Sequence, residues 1–91
     1  MSSRMSSKIR ATEHNVSKVP NQSGAYVLYR GSGTKYVGSA GAGRLQKRIK
    51  QQLDQKRGIT SFQYRSTSSE REAIRLEKEY RDRINPEQKR V

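Results

Sequence analysis

The sequence predicts a small α+β domain in which a three-stranded antiparallel sheet is flanked by helices. Three observations predict it. Two short runs rich in β-branched and aromatic residues flank a Gly-rich tetrapeptide, the pattern of a hairpin. Two later segments carry apolar residues at helical spacing. A short alternating stretch lies between those two segments, which sets the order strand, strand, helix, strand, helix.

In chain order, residues 1–18 are rich in Ser and Lys/Arg and show almost no periodicity, so they read as a flexible basic arm with His14 exposed within it. Val19-Pro20-Asn21-Gln22-Ser23-Gly24 is a turn-rich boundary, and the domain is expected over residues 19–91. Ala25 to Arg30 (Ala-Tyr-Val-Leu-Tyr-Arg) forms the first strand, Gly31-Ser32-Gly33-Thr34 the turn, and Lys35 to Gly38 the return. Ser39-Ala40-Gly41-Ala42-Gly43 is a small-residue loop without the Gly-Lys-Ser/Thr ending of a nucleotide P-loop. A helix begins at Arg44, with Leu45, Ile49 and Leu53 on one face, and Gly58 ends it. Ser61 to Arg65 alternates as a third strand. Ser69-Glu70-Arg71-Glu72 then fits a capping box ahead of the stripe Ala73, Leu76, Tyr80 and Ile84, which Pro86 stops.

Composition narrows the functional classes. The 91 residues hold 20 Lys+Arg against 8 Asp+Glu, a net charge of +12. They hold only four Leu, five Ile, five Val and one Phe, a sparse set that with such charge borders on the composition of disordered chains. The charge is not spread evenly. Residues 25–60 carry eight bases and one acid, whereas residues 61–91 carry eight bases and six acids. A basic tail concentrates its charge at an end; here the excess sits in the middle, as on a folded surface facing a polyanion. No Cys and one His exclude disulfides, zinc fingers and Ser-His-Asp chemistry. No run approaches the roughly 18 apolar residues of a membrane span, and the first ten residues have no signal-like apolar core. An intracellular, nucleic-acid-binding chain is the expectation.

Some residues break their local pattern, as functional residues often do. Glu77 projects from the stripe that should face the core, where a carboxylate needs a partner. It is either an edge residue paired with a neighbouring Arg or a metal ligand at a cleft rim. Arg44, Arg48 and Gln52 form a line beside the first helix's apolar face, suited to solvent or to a phosphate clamp. Tyr26, Tyr29 and Tyr36 crowd one hairpin, and alternation puts Tyr26 and Tyr29 on opposite faces.

Gly24-Ala25-Tyr26 followed by Tyr36-Val37-Gly38 resembles the two halves of the GIY-YIG nuclease signature. Leu45-Gln46-Lys47-Arg48-Ile49 resembles that family's arginine-bearing helix, and Glu72-Ala73-Ile74-Arg75-Leu76-Glu77 resembles the helix that ends in its metal-binding glutamate. The pattern is most similar to the nuclease domain at the N-terminus of bacterial excision-repair endonucleases. It departs from the family in having Ala25 for the usual Ile, a longer loop before Arg48, and Gln52 where many members carry His or Tyr. The late Asn of the family has no clear counterpart, since Asn85 precedes Pro86 and Lys89 occupies its register.

The resemblance implies a metal-dependent DNA endonuclease with low intrinsic sequence specificity, for which a protein partner would supply any specificity. It implies Tyr26, Tyr36, Arg48 and Glu77 as catalytic residues, with Glu77 holding one Mg²⁺ or Mn²⁺ ion. The two tyrosines would position and deprotonate water, provided nearby cations lower a phenol pKa that is ordinarily near 10. Lys35, Arg44, Lys47, Lys50 and Gln52 are the expected DNA contacts, with Lys56 and Arg57 continuing the track. A non-catalytic, basic nucleic-acid-binding protein on the same fold is the alternative.

Overall fold

A computed structural model describes residues 8–31, 34–56 and 58–84. Strand β1 (Ile9–Arg10) and helix α1 (Glu13–Val16) come first. Strands β2 (Ser23–Arg30) and β3 (Thr34–Ala40) form the hairpin. Helix α2 (Leu45–Gln55), strand β4 (Ser61–Thr67) and helix α3 (Glu70–Ile84) complete the domain. The four strands form one antiparallel sheet in the order β1-β4-β2-β3.

β2 lies between β4 and β3 and is buried along its length except for Arg30. Its alternate residues serve two cores. Tyr26 and Leu28 face the side of α1 and α2, where they pack with Val16, Val19, Ala40, Leu45, Ile49 and Phe62. Ala25, Val27 and Tyr29 face Leu76 and Tyr80 of α3. Sheet alternation therefore decides which helix each residue meets. Phe62, Leu28, Leu45, Ile49 and Val27 are the largest fully buried side chains.

Both expected helices form where their apolar spacing puts them. In α2, Leu45 and Ile49 are buried and Leu53 half-buried. The capping box of α3 is present with a one-residue offset. Ser69 Oγ accepts from the Glu72 N–H at 3.2 Å, while the Glu72 carboxylate accepts from the N–H and hydroxyl of Ser68. Those two bonds hold the Glu72 carboxyl below its ordinary pKa.

Two expectations are corrected. The sheet has four strands, not three, because Ile9 pairs opposite Phe62 and Arg10 opposite Ser61. The flexible arm expected over residues 1–18 does not hold from residue 8 onward. α1 is capped by Thr12, whose Oγ1 accepts from the Asn15 N–H at 3.1 Å, and it sinks Val16 into the core. Residues 1–7 lie outside the described residues, as do Arg57, Asn85, Pro86 and Lys89; His14 is exposed, as expected. The physical reason for the miss is size. A two-residue strand and a four-residue helix contain no full period to detect. Truncating Val16, which is 5% exposed, tests the correction. Val16→Ala should lower unfolding stability by about 2 kcal/mol in urea denaturation, whereas a side chain on a loose arm would leave it unchanged.

Candidate active site

The signature glycines have steric reasons. Gly24 sits where a Cβ would stand 2.5 Å from the Arg65 carbonyl oxygen and 2.8 Å from Leu45 Cδ2. Only a bare backbone lets β4 and the start of α2 close on β2 there. Gly38 lies directly opposite Tyr26 in the β2–β3 register, and a Cβ on it would overlap the Tyr26 ring and hydroxyl. Tyr26 therefore lies across β3 toward the sheet's edge, its ring occupying the space that a Gly38 side chain would fill.

Three of the four expected catalytic residues converge around that hydroxyl. The Arg48 guanidinium hydrogen-bonds it, and the Glu77 carboxylate is close enough to act on it electrostatically. Arg48 comes from α2 on one face of the sheet. Glu77 comes from α3 on the other, and meets β3 through Ser39, whose hydroxyl donates to Oε1 at 2.5 Å. Its Oε2 accepts from Arg81, four residues on. Tyr36 is not brought into this group. It shares the face of Tyr26 but pairs opposite Leu28 and packs against the α2-side core. Lys56 and Arg30 stand over its ring at 4.7 and 5.8 Å.

Beside β3 opens a polar cleft of about 800 Å³. The loop Gly41-Ala42-Gly43 forms its floor, and Arg44, Lys47, Arg48 and Gln51 line one wall. Ser39, Ala40 and Glu70 complete the lining. Of the expected DNA contacts, Arg44 and Lys47 line this cleft. Lys50 lines a separate groove of about 310 Å³ with Glu13, Val16 and Asp54. Gln52 is half-buried, about 100° around α2 from Gln51, which lines the cleft in its place. Helical arithmetic could have found this, because residues 44, 47, 48 and 51 form one stripe at i, i+3, i+4, i+7. The side chain of Lys35 lies outside the described residues. Glu70 is exposed, and its carboxylate lies against the backbone of Gly41, where an added Cβ would be 3.3 Å from Cδ and Oε1.

Burial holds the Tyr26 phenol above its ordinary pKa, the charge and hydrogen bond of Arg48 pull it down, and Glu77 pushes it up. Burial prevails. In the protein without a bound ion, the phenol, 4% exposed, thus stays above its ordinary pKa despite the Arg48 charge.

A phenol whose folded-state pKa is raised contributes stability that is intact below pH about 10 and is lost as pH rises through the folded value. Tyr26→Phe should therefore flatten the alkaline fall in stability. Arg48→Ala removes both lowering influences, so the Tyr26 transition in an ultraviolet titration should move to still higher pH. An unchanged or lower midpoint would show that the two side chains do not meet.

No curated protein and no solved structure matches the chain. One family model does, over residues 10–83, a span running from β1 through all the cleft residues to the last turns of α3. The chain belongs to that family, described as a domain of unknown function, DUF7508.

Proposed function

We propose that this domain is a metal-dependent endonuclease of GIY-YIG type that hydrolyses phosphodiester bonds in DNA. The observation that carries the reading is the convergence of Arg48, Tyr26 and Glu77 at the Gly38 edge of β3, next to a cleft walled by cations. Structural residues alone would have no reason to gather an arginine, a phenol and a carboxylate from three different elements at one sheet edge.

Hydrolysis requires a phosphate held in place and charge supplied where the transition state develops it. Arg48 presents a planar fork of donors suited to phosphate oxygens, and its bond to Tyr26 fixes the direction of that fork. Tyr26 thus works as a positioning residue. Arg44 and Lys47 extend the clamp along the α2 wall, and such contacts carry no base information. Intrinsic sequence preference is therefore low, unless a partner supplies it.

A divalent ion fits the chemistry of Glu77 and Ser39. Among the described residues no three His, Cys, Asp or Glu side chains come together, so a cage made wholly of protein ligands is not available. Mg²⁺ does not need one, because it keeps several waters and takes one or two carboxylates plus substrate oxygens. Glu77 would hold it, with Arg81 giving up Oε2. When bound, the ion supplies Lewis-acid stabilisation to the leaving oxygen.

One observation favours a second reading. Both Glu77 oxygens are satisfied internally, by Ser39 and Arg81, as in a basic DNA-binding domain without catalysis. Supercoiled plasmid with Mg²⁺ separates the two. The nuclease nicks it, and Arg48→Ala or Glu77→Ala lowers the nicking rate by at least about 100-fold. A wild-type protein that retards the plasmid in a gel and never nicks it establishes the binding reading instead.

A further inference from the structure

A second gathering of cations lies along β3 from the cleft. Strand alternation puts Tyr36, Gly38 and Ala40 on one face. Ala40 lines the cleft, and Tyr36, four residues back, carries two cations over its ring. The Lys56 ammonium stands 4.7 Å from the ring centre and the Arg30 guanidinium 5.8 Å. They come from separate elements. Arg30 is the exposed last residue of β2, and Lys56 is the C-cap of α2. Both contacts are to the ring and not to its hydroxyl.

The local chain holds them there. Tyr36 is half-buried and packs on the α2-side core, so its ring is a fixed bed. The Arg30 stem runs past the backbone of Gly58, where an added Cβ would be 3.4 Å from Cγ, Cδ and Nε. Thr60 ties the segment after Gly58 to the end of β2. Its N–H donates to the Tyr29 carbonyl at 2.8 Å, and its Oγ1 accepts from the Gly31 N–H at 3.1 Å.

Neither cation is neutralised: among the described residues, neither belongs to an ion pair. The one acid of residues 25–60 is Asp54, and it lines the groove of Lys50 instead. A ring attracts a cation through its quadrupole and leaves the charge intact. Arg30 and Lys56 are thus held in place yet open to phosphate oxygens. Strand rise puts Tyr36 about 13 Å from Ala40, roughly four nucleotide steps along one DNA strand. A backbone gripped by Arg44 and Lys47 and laid along β3 arrives at Arg30 and Lys56.

We propose that Arg30 and Lys56, set on the Tyr36 ring, form a second phosphate-binding point for DNA, so that the DNA lies along β3. This rests on the DNA-binding part of the reading above and holds whether or not the cleft cuts.

Anisotropy of a fluorescent duplex, titrated with protein across a NaCl series in EDTA so that no cleavage intervenes, tests this. Arg30→Gln and Lys56→Gln should each lower the slope of log K against log salt by about 0.9, and weaken binding at low salt roughly tenfold. Tyr36→Leu keeps both charges but removes their bed, so affinity should fall several-fold with the slope retained. Tyr36→Phe, which keeps the ring, should restore it. Circular dichroism checks that each variant folds, and the exposed Arg30 tests the proposal without touching the core. If Arg30→Gln and Lys56→Gln keep the wild-type slope while Arg44→Gln and Lys47→Gln lose theirs, the second point is overturned and the cleft reading stands. If a folded Tyr36→Leu binds as wild type, the ring does not hold the cations and the built site is overturned. If wild type binds no DNA, both readings fall together.

Discussion

β2 is the strand against which everything else is placed. Sequestered by strands on both sides and helices on both faces, it concentrates in eight residues much of the apolar material that a sparse sequence has to offer. A chain with one Phe and four Leu cannot afford two independent cores, and a single strand buried on both faces lets one set of residues serve both. Tyrosines supply the rest of the area. Tyr26, Tyr29 and Tyr80 are all buried, and each phenol adds ring surface while needing a polar partner for its hydroxyl. Tyr29 finds Gln63; Tyr26 finds Arg48. A core economy that leans on tyrosine therefore delivers a polar group to the sheet's edge, and the cleft begins there.

The cleft is assembled from elements that do not touch the same side of the sheet. α2 and its N-cap bring the cations, α3 brings Glu70, and Ser39 of β3 with the Gly41-Ala42-Gly43 loop lies between them. Opposite charges approach across the edge strand without neutralising one another, apart from the internal pairing of Glu77 with Arg81. A cleft lined by three cations and one carboxylate holds a net positive potential for an anion.

Much of this was legible before folding. The i, i+4, i+8 spacing of Leu45, Ile49 and Leu53 and the hydroxyl–carboxylate pair Ser69/Glu72 are local signals, and both helices lie where those signals put them. The opposite orientation of Tyr26 and Tyr29 followed from strand alternation alone. Glu77 stood out because it interrupts an apolar stripe, and Arg48 because it flanks one. What escaped was set by tertiary contacts. Ile9, Val16 and Val19 matter only once β4 and α2 are in place, and their spacing repeats nothing. Glu70 has the ordinary look of a first-turn acid at a helix N-terminus, and only the docking of α3 beside Gly41 turns it to the cleft. The direction of the Tyr26 pKa was equally invisible, because it depends on how deeply the ring sinks under Arg48. Lys50 and Gln52 lie about a quarter-turn of helix away from the stripe that lines the cleft.

The edge position of β3 bears on how the cleft moves. Its two walls rise from opposite faces of one sheet, so its width is set by a strand and the side chains that flank it. Opening it further means lifting a helix off the sheet and exposing Leu45 and Ile49 or Leu76 and Tyr80 to water. Among the described residues, the width of such a gap is set by the packing of the sheet and its two helices. A ligand entering it meets groups already spaced, and pays little in rearrangement when it binds.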